Sequence, residues 1–299
     1  MDLIAKLDEL RKTFDNKIIR LFKIEKYYKL NFEVFAKIED TNFTGSIKDK
    51  TVFQMMYDAI LEGKINKDTT LIEATSGNTG ISISYIASYL GLKSLIVMPS
   101  SMSKQRRDLI TQYGGELLLL EGGMKECEER VQDLLTRNPS YFCLDQFNNP
   151  SNPKAHYLIT APQIFSFSNE FDYIVDGFGT GGTVSGIGQY IKENNLKTKV
   201  IAVEPFESPL ITLGFYCKHL IQGIGANFVP KTLYREYIYQ FRTVSSEDAL
   251  KMKKLLFELE NIDVGISSGA SLKACLDFGK NHPYKRYLCI FPDKGDRYE

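Results

Sequence analysis

The feature that most narrows what this chain can become is an alternation that sets in at Thr70. Short β-branched or aliphatic runs exchange with segments of helical period, and Gly, Pro and Asn punctuate the exchanges. This is the pattern of βαβ units whose strands lie parallel in a sheet. One cycle reads TTLIEA as a strand, TSGNTG as a loop, ISISYIASYLG as a helix ending at Gly91, and SLIVM as the next strand before Pro99. The following cycle starts a helix near Ser103, a residue type that caps helix N-termini, stops it at Gly114-Gly115 and enters the strand ELLLLE. A helix over 125–137 comes next. The stretch QFNNPSNP, 146–153, is rich in Pro and Asn and reads as a loop where the chain crosses between domains. With 299 residues and 43% hydrophobic content, the chain suits roughly two domains of about 150 residues, each with its own core. The expected fold class is α/β.

Composition removes several kinds of partner. Lys plus Arg and Asp plus Glu are balanced at 37 each, so no excess charge points to nucleic acid or an anionic membrane surface. The expected partner is a small molecule. Apolar runs such as Leu117 to Leu120 fall far short of the ~20 residues of a membrane helix. The N-terminal MDLIAKLDELRKTF lacks the apolar stretch of a secretory signal, which makes the cytoplasm the expected location. Cys127, Cys143, Cys217, Cys275 and Cys289 form no CxxC and read as buried reduced thiols; His156, His219 and His282 are isolated, so no metal site is expected.

Three glycine-containing loops stand where α/β proteins bind ligands, at the hand-over from strand or loop to helix. The first, TGSIKDK at 44–50, opens a helix whose apolar residues Val52, Met55, Met56, Ala59 and Ile60 recur at helical spacing. Lys48 lies near that helix's N-terminus. The positive end of the dipole and partial burial both disfavour its ammonium form, which suits Schiff-base chemistry, although the same pattern also fits a solvated surface lysine. The second loop, TSGNTG at 75–80, offers hydroxyls and backbone N–H groups at a helix N-terminus, an anion site or an ordinary turn. The third, DGFGTGGT at 176–183, carries two functional readings. Gly177, Gly179 and Gly182 satisfy G-x-G-x-x-G and Glu204 follows at the distance of a dinucleotide fingerprint. Thr180 and Thr183, however, suit a terminal phosphate dianion. A single cofactor with one phosphate and a reactive aldehyde employs all three loops and the lysine together; pyridoxal phosphate is such a cofactor.

These residues resemble the cysteine synthase and cystathionine β-synthase family, the fold-type II pyridoxal-phosphate enzymes. KIEDTNFTGSIKDK is similar to the family's Schiff-base lysine segment, IEATSGNTG to its substrate-carboxylate loop, QFNNPSNPKAHY to the stretch after the movable domain, and GTGGT to its phosphate cup. EPFESP, QGIGANFVP, GISSGAS and FPDKGDRY match further landmarks in order. The resemblance implies two α/β domains, each a twisted, mostly parallel sheet flanked by helices. Residues 42–147, with roughly 1–15, would form a smaller movable N-terminal domain, and 148–299, with roughly 16–41, a larger C-terminal one. It implies that Lys48 forms the internal aldimine, that Asn78 contacts the ring hydroxyl, and that Gly179, Thr180, Gly181, Gly182 and Thr183 bind the phosphate. Thr75, Ser76, Gly77, Thr79, Gln146 and Gly223 would bind substrate. The serine opposite the pyridine nitrogen falls on Ser267, with Ser268 the alternative.

The implied reaction is β-replacement through an α-aminoacrylate, making L-cysteine from O-acetylserine and sulfide. The alternative is the degradative sense, releasing sulfide from L-cysteine as water or another thiol adds, or as pyruvate forms. More distant alternatives are a serine or threonine dehydratase, an NAD-dependent oxidoreductase and a non-catalytic binding protein. A homodimer is implied, and the family leaves a complex with an acetyltransferase open. Some positions depart from the family pattern. Phe43 stands where proline is usual, Lys50 where arginine is, and Asn227 where a glycine commonly follows Gly-Ile-Gly-Ala. A polar Asn227 would bias the choice of nucleophile or leaving group; the preferred reading is that it replaces glycine at a left-handed backbone position.

Overall fold

The computed structural model describes residues 2–75 and 77–298. Its strands, in chain order, are β1 Lys17–Arg20, β2 Glu33–Ile38, β3 Thr70–Ala74, β4 Lys93–Pro99, β5 Glu116–Leu120, β6 Tyr141–Cys143, β7 Tyr173–Gly177, β8 Lys199–Pro205, β9 Gln240–Val244 and β10 Arg286–Phe291. The chain separates into two compact units. One takes the N-terminal segment through Asp15 with Asn42–Ser151, and the other takes Asn16–Thr41 with Asn152–Tyr298.

In the first unit the described strands form a parallel sheet in the order β5-β4-β3-β6. The helices Asn78–Leu90, Lys104–Gln112 and Met124–Arg137 connect successive strands, as parallel strands of one sheet require. Gly91 ends the first of them in a left-handed conformation, φ 78°, which a residue without Cβ adopts without strain. Ile72 and Val97 of the sheet meet Cys127 and Val131 of the last helix in a core. The helix Lys48–Leu61 buries Val52, Phe53, Met55 and Met56 and also Asp49, Lys50, Thr51 and Gln54. It is enclosed nearly all round because the helices Leu3–Arg11 and Asn78–Leu90 both pack on it. Phe43, in place of the usual proline, lies 4.6 Å from Phe14 and stacks on Tyr85 at 5.6 Å between ring centroids. Aromatic packing thus steadies the segment before Lys48, where proline would do so through its fixed φ.

The second unit holds the sheet β1-β2-β10-β7-β8-β9, parallel except for β1 against β2. Val34, Val175, Val203, Tyr287 and Phe291 bury against Ala270, Leu272 and Cys275 of the helix Ile266–Gly279. Each such large side chain, fully removed from water, contributes about 1.5–3 kcal/mol.

Four sequence expectations need correction. A helix, Ser151–Ala155, begins inside the stretch read as loop; Pro153 falls in its first turn, where the missing N–H has no helical partner to lose. The helix read from Ile81 starts at Asn78, inside the TSGNTG loop, whereas Ser103 does take the N-cap position of its helix, although its hydroxyl accepts no helix amide. Asn227 is not left-handed; in its loop the positive φ values belong to Gly223 (89°) and Gly225 (73°). Cys217 is exposed and Cys143 half-buried, while Cys127, Cys275 and Cys289 are buried, all as free thiols.

Candidate active site

Lys48 is the first residue of its helix and is half-buried, and its backbone N–H donates to the Ser46 hydroxyl at 3.0 Å. Gly45, at φ 85°, turns the chain into this position. The next residue, Asp49, holds the turn together. Its fully buried carboxylate accepts the Thr44 N–H at 2.8 Å, the Thr44 hydroxyl at 2.7 Å and the Ser82 hydroxyl at 2.6 Å. Ser82 lies in the helix that begins at Asn78, so one carboxylate ties together two helices whose first residues are Lys48 and Asn78. Charge-assisted hydrogen bonds of this kind are each worth about 1.5–3 kcal/mol. Sequence reading passed over Asp49; its signal is an acid placed beside the lysine at the start of an otherwise apolar helix face.

The TSGNTG loop follows β3 directly. Thr75 is buried, and its hydroxyl accepts the Gly77 N–H at 3.4 Å. Thr79 and Gln146, both buried, meet: the threonine hydroxyl donates to Gln146 Oε1 at 2.8 Å. Ser76, assigned to the same group, lies outside the described residues. A Cβ placed on Gly77 would lie 3.8 Å from the guanidinium carbon of Arg106, a residue only 7% exposed. A helix N-terminus and a buried cation therefore bear on one loop, and both favour an anion there. Arg106 is a second residue that sequence reading missed.

Glu73, at the end of β3, is buried and accepts the backbone N–H groups of Leu144 and Asp145 at 3.1 Å each and of Gln146 at 3.4 Å. The Cys143 thiol donates to it at 3.2 Å. Desolvation pushes this carboxyl up to about 7, against the lowering effect of the thiol and amide hydrogen bonds. The thiol of Cys143 is itself driven well above its ordinary range, by burial first and by the neighbouring Glu73 second.

In the second unit, β7 leads through Phe178 to Gly179, Thr180 and Gly181, and the helix Gly182–Glu193 begins with Gly182 and Thr183. The loop is drawn tight. A Cβ on Gly179 would come within 2.5 Å of the Gly223 carbonyl oxygen, and one on Gly182 within 1.9 Å of Asn152 Oδ1. Gly181 is left-handed at φ 82°. Thr180 accepts from Asn152 Nδ2 at 2.9 Å, and its carbonyl accepts the Thr232 hydroxyl at 2.6 Å. Thr183 Oγ1 lies 3.4 Å from His156 Nε2. The helix carrying Ser267 is joined to this region where the Gly177 N–H donates to the Ser271 hydroxyl at 3.2 Å. The hydroxyls of Ser267 and Ser268 are buried and meet no hydrogen-bond partner among the described residues.

These observations weigh between the two readings of the glycine loop. Glu204, the acid a dinucleotide's ribose would need, is buried with both oxygens engaged: it accepts the Ile211 and Thr212 N–H groups at 2.9 Å and the Thr212 hydroxyl at 2.6 Å. It organises the segment after β8. A glycine loop at a helix N-terminus and an orphaned hydroxyl at Ser267 instead fit a phosphate-bearing ring with a nitrogen to contact. Among the described residues, no group of three or more His, Cys, Asp or Glu could hold a metal ion, and no helix is long and apolar enough to cross a membrane.

Fold and loops together define an α/β enzyme built for a phosphate-bearing aldehyde cofactor. The family described as "Pyridoxal-phosphate dependent enzyme" matches residues 12–293, and the chain belongs to it. It is 46% identical over 273 residues to Cysteine synthase B of Campylobacter jejuni, covering 90% of this chain and 91% of that protein. Among solved structures, a hydrogen sulfide-producing enzyme from Fusobacterium nucleatum superposes with a TM-score of 0.93 at 35% identity, covering 97% of each chain. Cysteine synthase from Entamoeba histolytica does so with a TM-score of 0.93 at 34% identity, covering 97% of this chain and 88% of that one. The enzyme is therefore pyridoxal-phosphate dependent.

Proposed function

We propose that the protein catalyses β-replacement on a serine- or cysteine-type amino acid, in the favoured case joining sulfide to O-acetylserine to give L-cysteine and acetate. The observation that carries this reading is the 46% identity, across about nine-tenths of both chains, to a protein named Cysteine synthase B. The loop geometry supports it. Lys48, at a helix N-terminus, would hold the cofactor through its aldehyde, and its Nζ would take the Cα proton of the substrate. Thr75, Ser76, Gly77, Thr79 and Gln146 take the substrate carboxylate, and Gly223 is assigned to the same ligand. Gly179 to Thr183 would hold the phosphate, Asn78 the ring hydroxyl, and Ser267 the pyridine nitrogen. Pyridoxal phosphate supplies the aldehyde that captures the substrate amine and the ring that draws electrons from Cα.

The likeness to the Fusobacterium hydrogen sulfide-producing enzyme, at a TM-score of 0.93, supports a second reading in which L-cysteine is the substrate and sulfide the leaving group. Addition of water then gives serine, addition of a second cysteine gives lanthionine, and elimination with hydrolysis gives pyruvate and ammonia. The working form is a cytoplasmic homodimer, to be checked by sedimentation. The deciding experiment supplies cofactor-loaded protein with O-acetylserine plus sulfide, and separately with L-cysteine alone, and follows cysteine, sulfide and carbon products by NMR. Cysteine formation in the first arm alone establishes the synthetic reading, and sulfide release in the second alone the degradative one. Product in neither arm refutes both. Loss in Lys48→Ala of a borohydride-sensitive near-visible band checks the lysine's role.

A further inference from the structure

We propose that Glu73 is a positioning residue for the substrate: its buried carboxylate gathers the backbone where β6 ends and so sets the Gln146 side chain against Thr79. This rests on the reading above, in which Thr79 and Gln146 take the substrate carboxylate. In the sheet, β3 and β6 run parallel with Ile72 opposite Cys143, so Glu73 emerges beside the point where β6 breaks off. There the chain turns sharply, with Asp145 in the left-handed region at φ 53°, a strained conformation for a residue with a Cβ unless its surroundings enforce it.

Successive amides around such a residue converge into a concavity that holds an anion. Here that place is taken by the chain's own Glu73 side chain. Oε2 of Glu73 accepts from Cys143 Sγ at 3.2 Å and from the Leu144 and Asp145 N–H groups at 3.1 Å, and Oε1 accepts the Gln146 N–H at 3.4 Å. The carbonyls complete the turn, since Asp145 O accepts the N–H groups of Asn148 and Asn149 at 3.0 and 2.9 Å. The last amide gathered belongs to Gln146, whose side chain accepts the Thr79 hydroxyl. Two carboxylate oxygens are needed to accept all four donors. An amide side chain offers one oxygen and turns N–H groups toward other N–H groups, a mismatch that leaves a buried amide unsatisfied. Glu73 touches no reacting atom and acts through Gln146.

The experiment uses cofactor-loaded, full-length protein and L-alanine, which carries the substrate carboxylate and amine without a β-leaving group. Its dissociation constant is read by spectral titration for the wild type, Glu73→Gln, Gln146→Ala and the double variant, with cofactor content measured in each. The expected result is that Glu73→Gln weakens L-alanine by about tenfold at unchanged cofactor content, and that adding it to Gln146→Ala costs little more, because the two act as one unit. Unchanged L-alanine affinity in Glu73→Gln, or losses that simply add in the double variant, overturn the proposal. Unchanged affinity in Gln146→Ala instead overturns the carboxylate-pocket reading, and the proposal with it. Should Glu73→Gln fold poorly, amide exchange in the unmodified protein still decides: slow exchange at Leu144, Asp145 and Gln146 is expected, and exchange at the rate of an unstructured chain refutes the role.

Discussion

Replacing Gly179 by alanine tests whether the glycine loop is a close-contact device or merely a flexible one. Its φ lies outside the left-handed region, so alanine can adopt the native dihedral angles, and the obstacle is the Gly223 carbonyl oxygen 2.5 Å from the new methyl group. That neighbour is backbone and cannot rotate away. Opening the contact to ordinary van der Waals distance requires the segment at 223 to retreat by about 1 Å. The segment is tied back to the loop itself, because the Gly225 N–H donates to the Phe178 carbonyl at 3.0 Å and Ile224 is buried beneath it. Overpacking of this type costs about 1–3 kcal/mol. Falling on the loop proposed to hold the phosphate, such a penalty should weaken cofactor binding by about 5- to 150-fold. The assay is titration of cofactor-free protein with pyridoxal phosphate, alongside urea unfolding without cofactor. Gly214→Ala is the control: it is left-handed at φ 78° with nothing within 4 Å of its added Cβ, so it should cost stability through backbone strain and leave cofactor affinity alone. Wild-type affinity and stability in Gly179→Ala would refute the close-approach argument.

Other consequences can be measured directly. Ser267→Ala removes a buried hydroxyl with no hydrogen-bond partner among the described residues, so cofactor-free protein should gain about 1 kcal/mol in thermal unfolding while the stabilisation conferred by added cofactor shrinks. Ser268→Ala should give the first effect without the second, and the reverse pattern would move the ring contact to Ser268. Burial lifts Glu73 from 4.5 to about 7, so the folded protein holds this proton more tightly than the unfolded chain does. The stability it confers is complete below the unfolded value and is lost as the pH rises through about 7, a change on the order of 3 kcal/mol. Urea midpoints at acid and alkaline pH should therefore converge in Glu73→Gln, and a wild-type pH dependence in that variant would contradict the assignment. A thiol reagent at neutral pH should modify Cys217, the exposed cysteine, and leave Cys127, Cys143 and Cys275 untouched until unfolding, since burial raises all three. Rapid modification of more than one thiol in the folded protein would disagree.

The amino-acid sequence by itself determined most of the elements and the loops of the α/β cycles. Periodicity from Thr70 onward marks β3 and β4 almost to the residue, and the helix closed by Gly91 apart from its first turn at 78–80, because hydrophobic spacing and glycine's backbone freedom are properties of neighbours in the chain. For the same reason the lysine and both glycine loops could be singled out before any coordinates. Tertiary structure decided which polar groups meet. Thr79 and Gln146 are 67 residues apart, and Glu73 lies 71 to 73 residues from the amides it gathers. These encounters arise only when β3 and β6 pair in one particular register. Burial likewise divides the acids: Asp49, Glu73 and Glu204 look in sequence like any carboxylate, and Glu204 even completes a dinucleotide spacing. Each is instead enclosed and engaged with backbone or hydroxyl donors. A charge removed from water must find such partners, and where they lie is settled by the packing of distant segments rather than by local spacing.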